Sequence, residues 1–167
     1  MAQKTAFPAD NHDHSRCLSG ALDRAAALCA NKGVRLTSLR RRVLELVCGE
    51  HRPLGAYDIL NTLKAERLGA APPTVYRALD FLRQQGLVHR IESLNAFVGC
   101  PDPDTPHGGL FLICRDCGLA AELNDDCVDR AIRESAATAD FAIVRKVLEI
   151  EGLCPRCRNL ERNAPHE

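Results

Sequence analysis

Two Cys-x-x-Cys pairs, Cys114/Cys117 and Cys154/Cys157, supply four thiols in two short-range sets. That is the ligand number and type a tetrahedral structural zinc ion takes. Each pair sits in a segment able to turn tightly, Cys114-Arg115-Asp116-Cys117-Gly118 and Cys154-Pro155-Arg156-Cys157, so one bend can aim both sulfurs at one point. Two disulfides or two redox pairs are the competing uses of the spacing. Compartment weighs against them. The first 17 residues, MAQKTAFPADNHDHSRC, are polar and lack the apolar stretch of a secretion signal, which predicts a cytoplasmic protein. Disulfides are rare in that reducing compartment, and nine cysteines cannot all pair within one chain.

The formal net charge is zero, but the signs separate along the chain. Residues 1–100 carry 14 Lys/Arg against 9 Asp/Glu, and residues 101–167 carry 8 against 13. A basic first half predicts contact with a polyanion, against the plainer alternative of solvated surface charge. No apolar run approaches the roughly 18 residues of a membrane span. At 167 residues the chain can form one compact domain or two small ones.

The elements that must position these groups follow from periodicity and punctuation. Residues 1–17 read as a mobile tail in which His12, His14 and Cys17 could bind metal weakly. Leu22, Ala25, Ala26 and Cys29 recur at helical spacing up to Gly33. Thr37 or Ser38 can cap a second helix, SLRRRVLELVCGE, with Leu39, Val43, Leu46 and Val47 inward and Arg40, Arg41 and Arg42 near its exposed side. A third, AYDILNTLKAERLG, buries Ile59, Leu60 and Leu63 and stops at Gly69. Pro72-Pro73 opens a fourth, TVYRALDFLRQQG, which ends at Gly86. Val75, Ala78, Leu79 and Leu82 form its inward stripe. Thr74, Tyr76, Arg77, Asp80, Arg83 and Gln84 face out as a set rich in hydrogen-bonding groups.

The next segment, LVHRIESLNAFVGC, reads as two β-strands around Ser93-Leu94-Asn95. Short helices followed by a hairpin make a winged helix, with the fourth helix as the element that enters DNA. Cys29, Cys48 and Cys127 fall on predicted helices and read as inert packing residues.

The string PPTVYRALDFLRQQGLVHRIESLNAFVGC, followed by FLICRDCG and GLCPRC, resembles the ferric uptake regulator superfamily and, within it, the zinc uptake regulator branch. The resemblance runs over residues 20–160 and implies an α+β protein. Residues 18–100 would form an N-terminal winged-helix DNA-binding domain, 101–160 a small α/β dimerisation domain with structural zinc, and 161–167 a tail. Members of the superfamily are homodimeric, metal-activated repressors that bind a two-fold symmetric operator in double-stranded DNA. By motif, Cys114, Cys117, Cys154 and Cys157 would hold structural zinc. His89, Cys100, His107 and Glu122 would hold a regulatory zinc, giving two ions per protomer, with Asp102 and Asp104 as oxygen alternatives to His107.

Tyr57 and Tyr76 match positions that face DNA in the superfamily. Arg77 suits bidentate contact with guanine, Thr74 lies beside it, and Arg40, Arg41 and Arg42 suit phosphate. Where the iron and manganese sensors carry an HHDH stretch before the first knuckle, this chain has PHGGLFLIC, which favours zinc. An iron, manganese or peroxide sensor of the same superfamily is the alternative, and a zinc-ribbon scaffold for protein partners is another. An enzyme is disfavoured, because no HExxH or similar motif is present and four protein ligands would close a metal site to water. Neither a small-molecule substrate nor a membrane partner is expected.

Overall fold

The computed structural model describes residues 6–7, 13–104 and 109–162. Four helices and a small sheet come first: α1 (His14–Asn31), α2 (Ser38–Cys48), β1 (Leu54–Gly55), α3 (Ala56–Ala65), α4 (Pro72–Gln84), β2 (Val88–Ile91) and β3 (Ala96–Gly99). A second sheet follows with two helices: β4 (Leu110–Cys114), β5 (Ala120–Leu123), α5 (Asp126–Thr138), β6 (Leu148–Gly152) and α6 (Pro155–Arg162). The chain is therefore α+β, a winged-helix unit followed by a small α/β unit.

Local chemistry sets the boundaries. Asp13 caps α1 by accepting from the Arg16 N–H at 3.2 Å, so the helix begins inside the segment expected to be a tail. Thr37 caps α2 through the Arg40 N–H. Helix α3 stops at Ala65, short of the expected Gly69. Arg67 takes the left-handed conformation (φ 58°), and the Leu68 N–H returns to the Leu63 carbonyl at 3.0 Å. Ala71 is extended ahead of Pro72, as the proline ring requires, and the two prolines occupy the first turn of α4.

The first core joins α1, α2, α3 and α4, with Val43, Val47, Ile59, Leu63, Leu79 and Leu82 fully buried. The inward stripe of α4 is the expected one. That of α2 is rotated: Leu44 is buried, whereas Leu39 and Leu46 only border the core. Hairpin β2–β3 pairs antiparallel with His89 opposite Val98, and β1 adds a two-residue third strand through Leu54 and Phe97. Two residues carry no readable alternation, so β1 had no signal in the sequence.

The second sheet has the order β5-β4-β6, with β4–β5 antiparallel and β4–β6 parallel. Phe111 sits opposite Glu122 on one side and Glu149 on the other. Ile91, Val98, Phe111, Ile113 and Ala120 form a small apolar cluster between the hairpin and this sheet. The Ala120 N–H also donates to the His51 carbonyl at 2.9 Å.

Helix α5 buries none of its residues. Val128, Phe141, Ile143, Val144, Val147 and Ile150 are all exposed, Val144 to 97%. Cys29 is buried as expected, but Cys127 is exposed because it lies on this uncovered helix. Among the described residues no helix is long and apolar enough to cross a membrane.

Candidate metal centres and nucleic-acid face

Parallel pairing of β4 with β6 places Cys114 opposite Gly152, so the second knuckle arrives beside the first. The ligand atoms of Cys114, Cys117, Cys154 and Cys157 all lie within 4.8 Å of one another. Gly118, at φ 71°, closes the first knuckle through its N–H to the Cys114 carbonyl. Gly and few others adopt that conformation without strain. In the second, the Cys157 N–H faces Cys154 Sγ at 3.5 Å. All nine cysteines are free thiols.

Burial opposes ionisation of Cys114, but hydrogen bonds from the backbone of Cys154, Cys117 and Asp116 overcome it and lower that thiol to about 6. Burial, followed by contact with the other three sulfurs, pushes Cys157 up to about 12. Four sulfurs this close cannot all be anionic without a cation between them. The donor set therefore fits structural zinc, which takes them as thiolates.

A second cluster joins the two sheets. His89 on β2, Cys100 just beyond β3 and Glu122 on β5 bring their ligand atoms within 4.8 Å of one another. The hairpin register accounts for two of them: Val98 faces His89, and Cys100 lies two residues further along on the same face. Glu122 Oε2 is 3.3 Å from His89 Nε2, and the Glu122 side chain is only 2% exposed. Burial, then the Glu122 carboxylate, pushes the Cys100 thiol up to about 12. An imidazole, a thiol and a buried carboxylate are zinc donors, and a divalent cation would offset the cost of burying that carboxylate.

His107, expected as the fourth donor, lies outside the described residues, as does His12. Asp102 and Asp104 are exposed and outside the cluster. His14 and Cys17, expected in a tail, belong to α1: His14 Nε2 is 2.5 Å from the Gly49 carbonyl, and Cys17 lines a cavity with Cys48, His51 and Cys100.

On the outer face of α4, Tyr76 and Arg77 are exposed and Thr74 half-exposed, and Tyr57 on α3 is 68% exposed. Arg77 makes no ion pair among the described residues. The arginine triplet is engaged within the chain. Arg40 lies over the Phe81 ring at 3.6 Å and donates to the Arg35 carbonyl. Arg41 pairs with Glu45 at 3.3 Å, and Arg42 forks onto Glu66 while also meeting Glu45. Sequence reasoning missed Glu92, Arg145 and Glu149, which join the hairpin turn to β6. Long-range contact of this kind leaves no local pattern.

A winged helix joined to a cysteine-clustered α/β unit defines a class of metal-binding regulators, and comparison with known proteins places the chain within it. Residues 31–151 match the Ferric uptake regulator family, and the chain belongs to that family. It is 41% identical to the Zinc uptake regulation protein of Escherichia coli K12 over 84% of this chain and 82% of that one. Against the Ferric uptake regulation protein of Cupriavidus metallidurans the identity is 30% over 75% and 88%. The fold matches a zinc uptake regulator solved in complex with zinc and DNA (TM-score 0.81, 40% identity, 87% of this chain and 97% of that one). It also matches holo XcZur (TM-score 0.76, 40% identity, 84% and 98%).

Proposed function

We propose that this chain is a zinc-responsive transcriptional repressor of the cytoplasm, a homodimer that binds a palindromic operator of zinc-uptake genes when its regulatory site is filled. The observation that carries the reading is the convergence of His89 and Cys100 from the hairpin with Glu122 from the second sheet. Likeness to a regulator solved with zinc and DNA supports it.

Bound zinc would supply charge to offset the buried donors. His89 and Cys100 hold the root of the hairpin, Glu122 holds β5, and His107 completes the set. With these donors drawn together, the winged-helix domain (residues 18–100) keeps one orientation on the dimerisation domain (101–160). The Asp13 cap carries the first domain back to residue 13, and α6 carries the second through Arg162, two residues into the segment 161–167 expected as a tail. Fixing the orientation of both recognition helices lowers the ordering cost of engaging two half-sites at once. The four cysteines hold a second zinc that is structural, giving about two ions per protomer.

The uncovered apolar residues of α5 and the segment leading into β6 provide the homodimer surface. Arg77 reads base edges beside Thr74, Tyr57 and Tyr76. Arg41 is the member of its triplet best placed for phosphate, while Arg40 and Arg42 brace α2. No reaction and no small-molecule substrate belong to this reading.

The test is selection of genomic DNA fragments by the purified full chain at buffered free zinc, beside iron(II), manganese and chelated samples. A symmetric site enriched only with zinc is the expected result. Enrichment with iron or manganese would make it a sensor of a sister metal. No enrichment under any metal would leave a zinc-ribbon scaffold.

A further inference from the structure

The hairpin β2–β3 touches the second sheet at both ends. At its root stand His89 and Cys100, facing Glu122. At its tip, the backbone N–H groups of Glu92 and Ser93 donate to the two carboxylate oxygens of Glu149 on β6, at 2.6 and 3.0 Å. The Glu92 carboxylate pairs with Arg145, just before β6, and with Arg90 on β2 at 3.2 Å. Arg90 in turn donates to Asn95 Oδ1 across the turn at 3.0 Å.

Glu122 and Glu149 are both register partners of Phe111, so one cross-strand row carries the root contact, an aromatic ring and the tip contact. The Phe111 ring lies 5.3 Å from that of His89. A carboxylate accepting two backbone N–H groups is a charge-assisted pair, stronger than its neutral equivalent and fixed in direction. With two of its backbone N–H groups held by Glu149, the tip of the hairpin is fixed against the second sheet.

We infer that Glu149 is a positioning residue that latches the tip of the hairpin to the dimerisation sheet, so that the hairpin couples the two domains instead of reading DNA. The latch rests on the reading that the first domain binds DNA in a zinc-set orientation. It acts on the same orientation as the zinc donors but from the opposite end of the hairpin. Each contact therefore lowers the ordering left for the other, which is positive coupling between Glu149 and the regulatory site. The latch sets how much free zinc the protein needs before it binds its operator.

The test compares the full-length dimer with its Glu149→Gln and Glu149→Ala variants, after checking that each retains structural zinc and dimer mass. Zinc dependence of binding to the selected DNA site and amide exchange of Glu92 and Ser93 by NMR are both measured. Glu149→Gln keeps the length but places an amide nitrogen against one of the two donors; Glu149→Ala removes both acceptors. The expected result is a threefold or greater rise in the free zinc for half-maximal binding, larger for Ala. Exchange of the Glu92 and Ser93 amides should quicken about tenfold, while Ile91 and Val98, whose N–H groups face the partner strand of the hairpin, stay protected.

Fast exchange of both amides in the unaltered protein would show that no latch exists. Deprotection with no change in the zinc midpoint would show a contact that positions nothing. A protein that binds no DNA at all would overturn the repressor reading, and the exchange data would still decide whether the latch forms. A variant that loses structural zinc is replaced by Arg145→Gln, which removes the outer ion pair and should shift the midpoint in the same direction by less. An unchanged midpoint in Arg145→Gln would then count against the latch.

Discussion

His89 Nε2 lies 3.3 Å from Glu122 Oε2, so a residue of hairpin β2–β3 and a residue of the second sheet meet at one point. A divalent cation at that point would offset the cost of burying the carboxylate, and the neighbouring imidazole and thiol suit zinc. Substituting Cys100→Ser removes the softest donor without touching the Cys114 cluster. We expect a folded dimer whose zinc affinity at this site falls by at least the roughly 10- to 100-fold that losing an outer-shell partner costs. Zinc-dependent operator binding should be lost with it. Full zinc-dependent binding by the serine variant, measured by fluorescence anisotropy, would remove Cys100 from the site.

The same site should respond to pH in one direction. In the metal-free protein the Cys100 thiol is pushed up to about 12, so it is protonated throughout the physiological range. Zinc binds the thiolate, and each ion bound must displace that proton. Raising the pH makes the displacement easier. Apparent affinity at the regulatory site should rise about tenfold per pH unit from this group alone, because one pKa unit corresponds to a tenfold equilibrium change. Competition against a chromophoric chelator from pH 6.5 to 8 gives the slope, and a flat profile would exclude a thiol ligand.

The Cys114 cluster behaves differently because it joins β4 to the start of α6, and among the described residues only the partly buried Phe7, Leu119 and Leu153 pack around its cysteines. Structural zinc of this kind carries roughly 10 to 16 kcal/mol of apparent binding energy that is also folding energy. Cys114→Ser should therefore yield a protein with less zinc after purification and a lower Tm. Its dimer should be weakened even at saturating zinc, as sedimentation velocity would report. Unaltered zinc content and Tm would refute a structural role.

Legibility in the sequence followed the range of the interaction. The two knuckles and the inward stripe of α4 were readable because spacing alone encodes them, and hairpin β2–β3 because β-branched and aromatic residues flank a turn. The start of α1 at His14 was obscured by a polar segment whose capping residue, Asp13, resembles any other tail aspartate. Helical spacing makes Cys127 a packing residue, yet α5 buries none of its residues and Cys127 is exposed. Engagement of Arg42 with Glu66 and of Glu149 with the hairpin turn depends on pairs 24 and 56 or more residues apart. No local window contains both partners. His89 and Glu122 were legible only through the family motif, for the same reason.

The uncovered face near α5 makes a dimer prediction. Val144 is 97% exposed, and Phe141, Ile143 and Val147 beside it are also exposed. Apolar surface of this extent marks an interaction site. Val144→Asp places a charge there without removing any contact inside the protomer, so the protomer should keep its fold and its Cys114 zinc. Burying an unpaired carboxylate at an interface costs several kcal/mol, enough to separate the protomers at micromolar concentration. Sedimentation should show a monomer that still binds structural zinc but engages a single half-site weakly. A dimer of unchanged affinity would place the interface elsewhere on the molecule.

Base contact on α4 is tested by Arg77→Ala. The side chain is exposed beside Tyr76 and makes no ion pair among the described residues, so its removal costs the free protein little. A bidentate arginine contact contributes about 1 to 3 kcal/mol of discrimination at its base pair. We expect a loss of that size on the selected site, a smaller loss on random DNA, and relaxed preference at one position of each half-site. Arg41→Ala should behave as a phosphate contact does, weakening both DNAs alike and flattening the salt dependence by about one ion per contact. If Arg77→Ala weakened selected and random DNA equally, α4 would touch the backbone there, and the base-reading role would pass to another residue of that face.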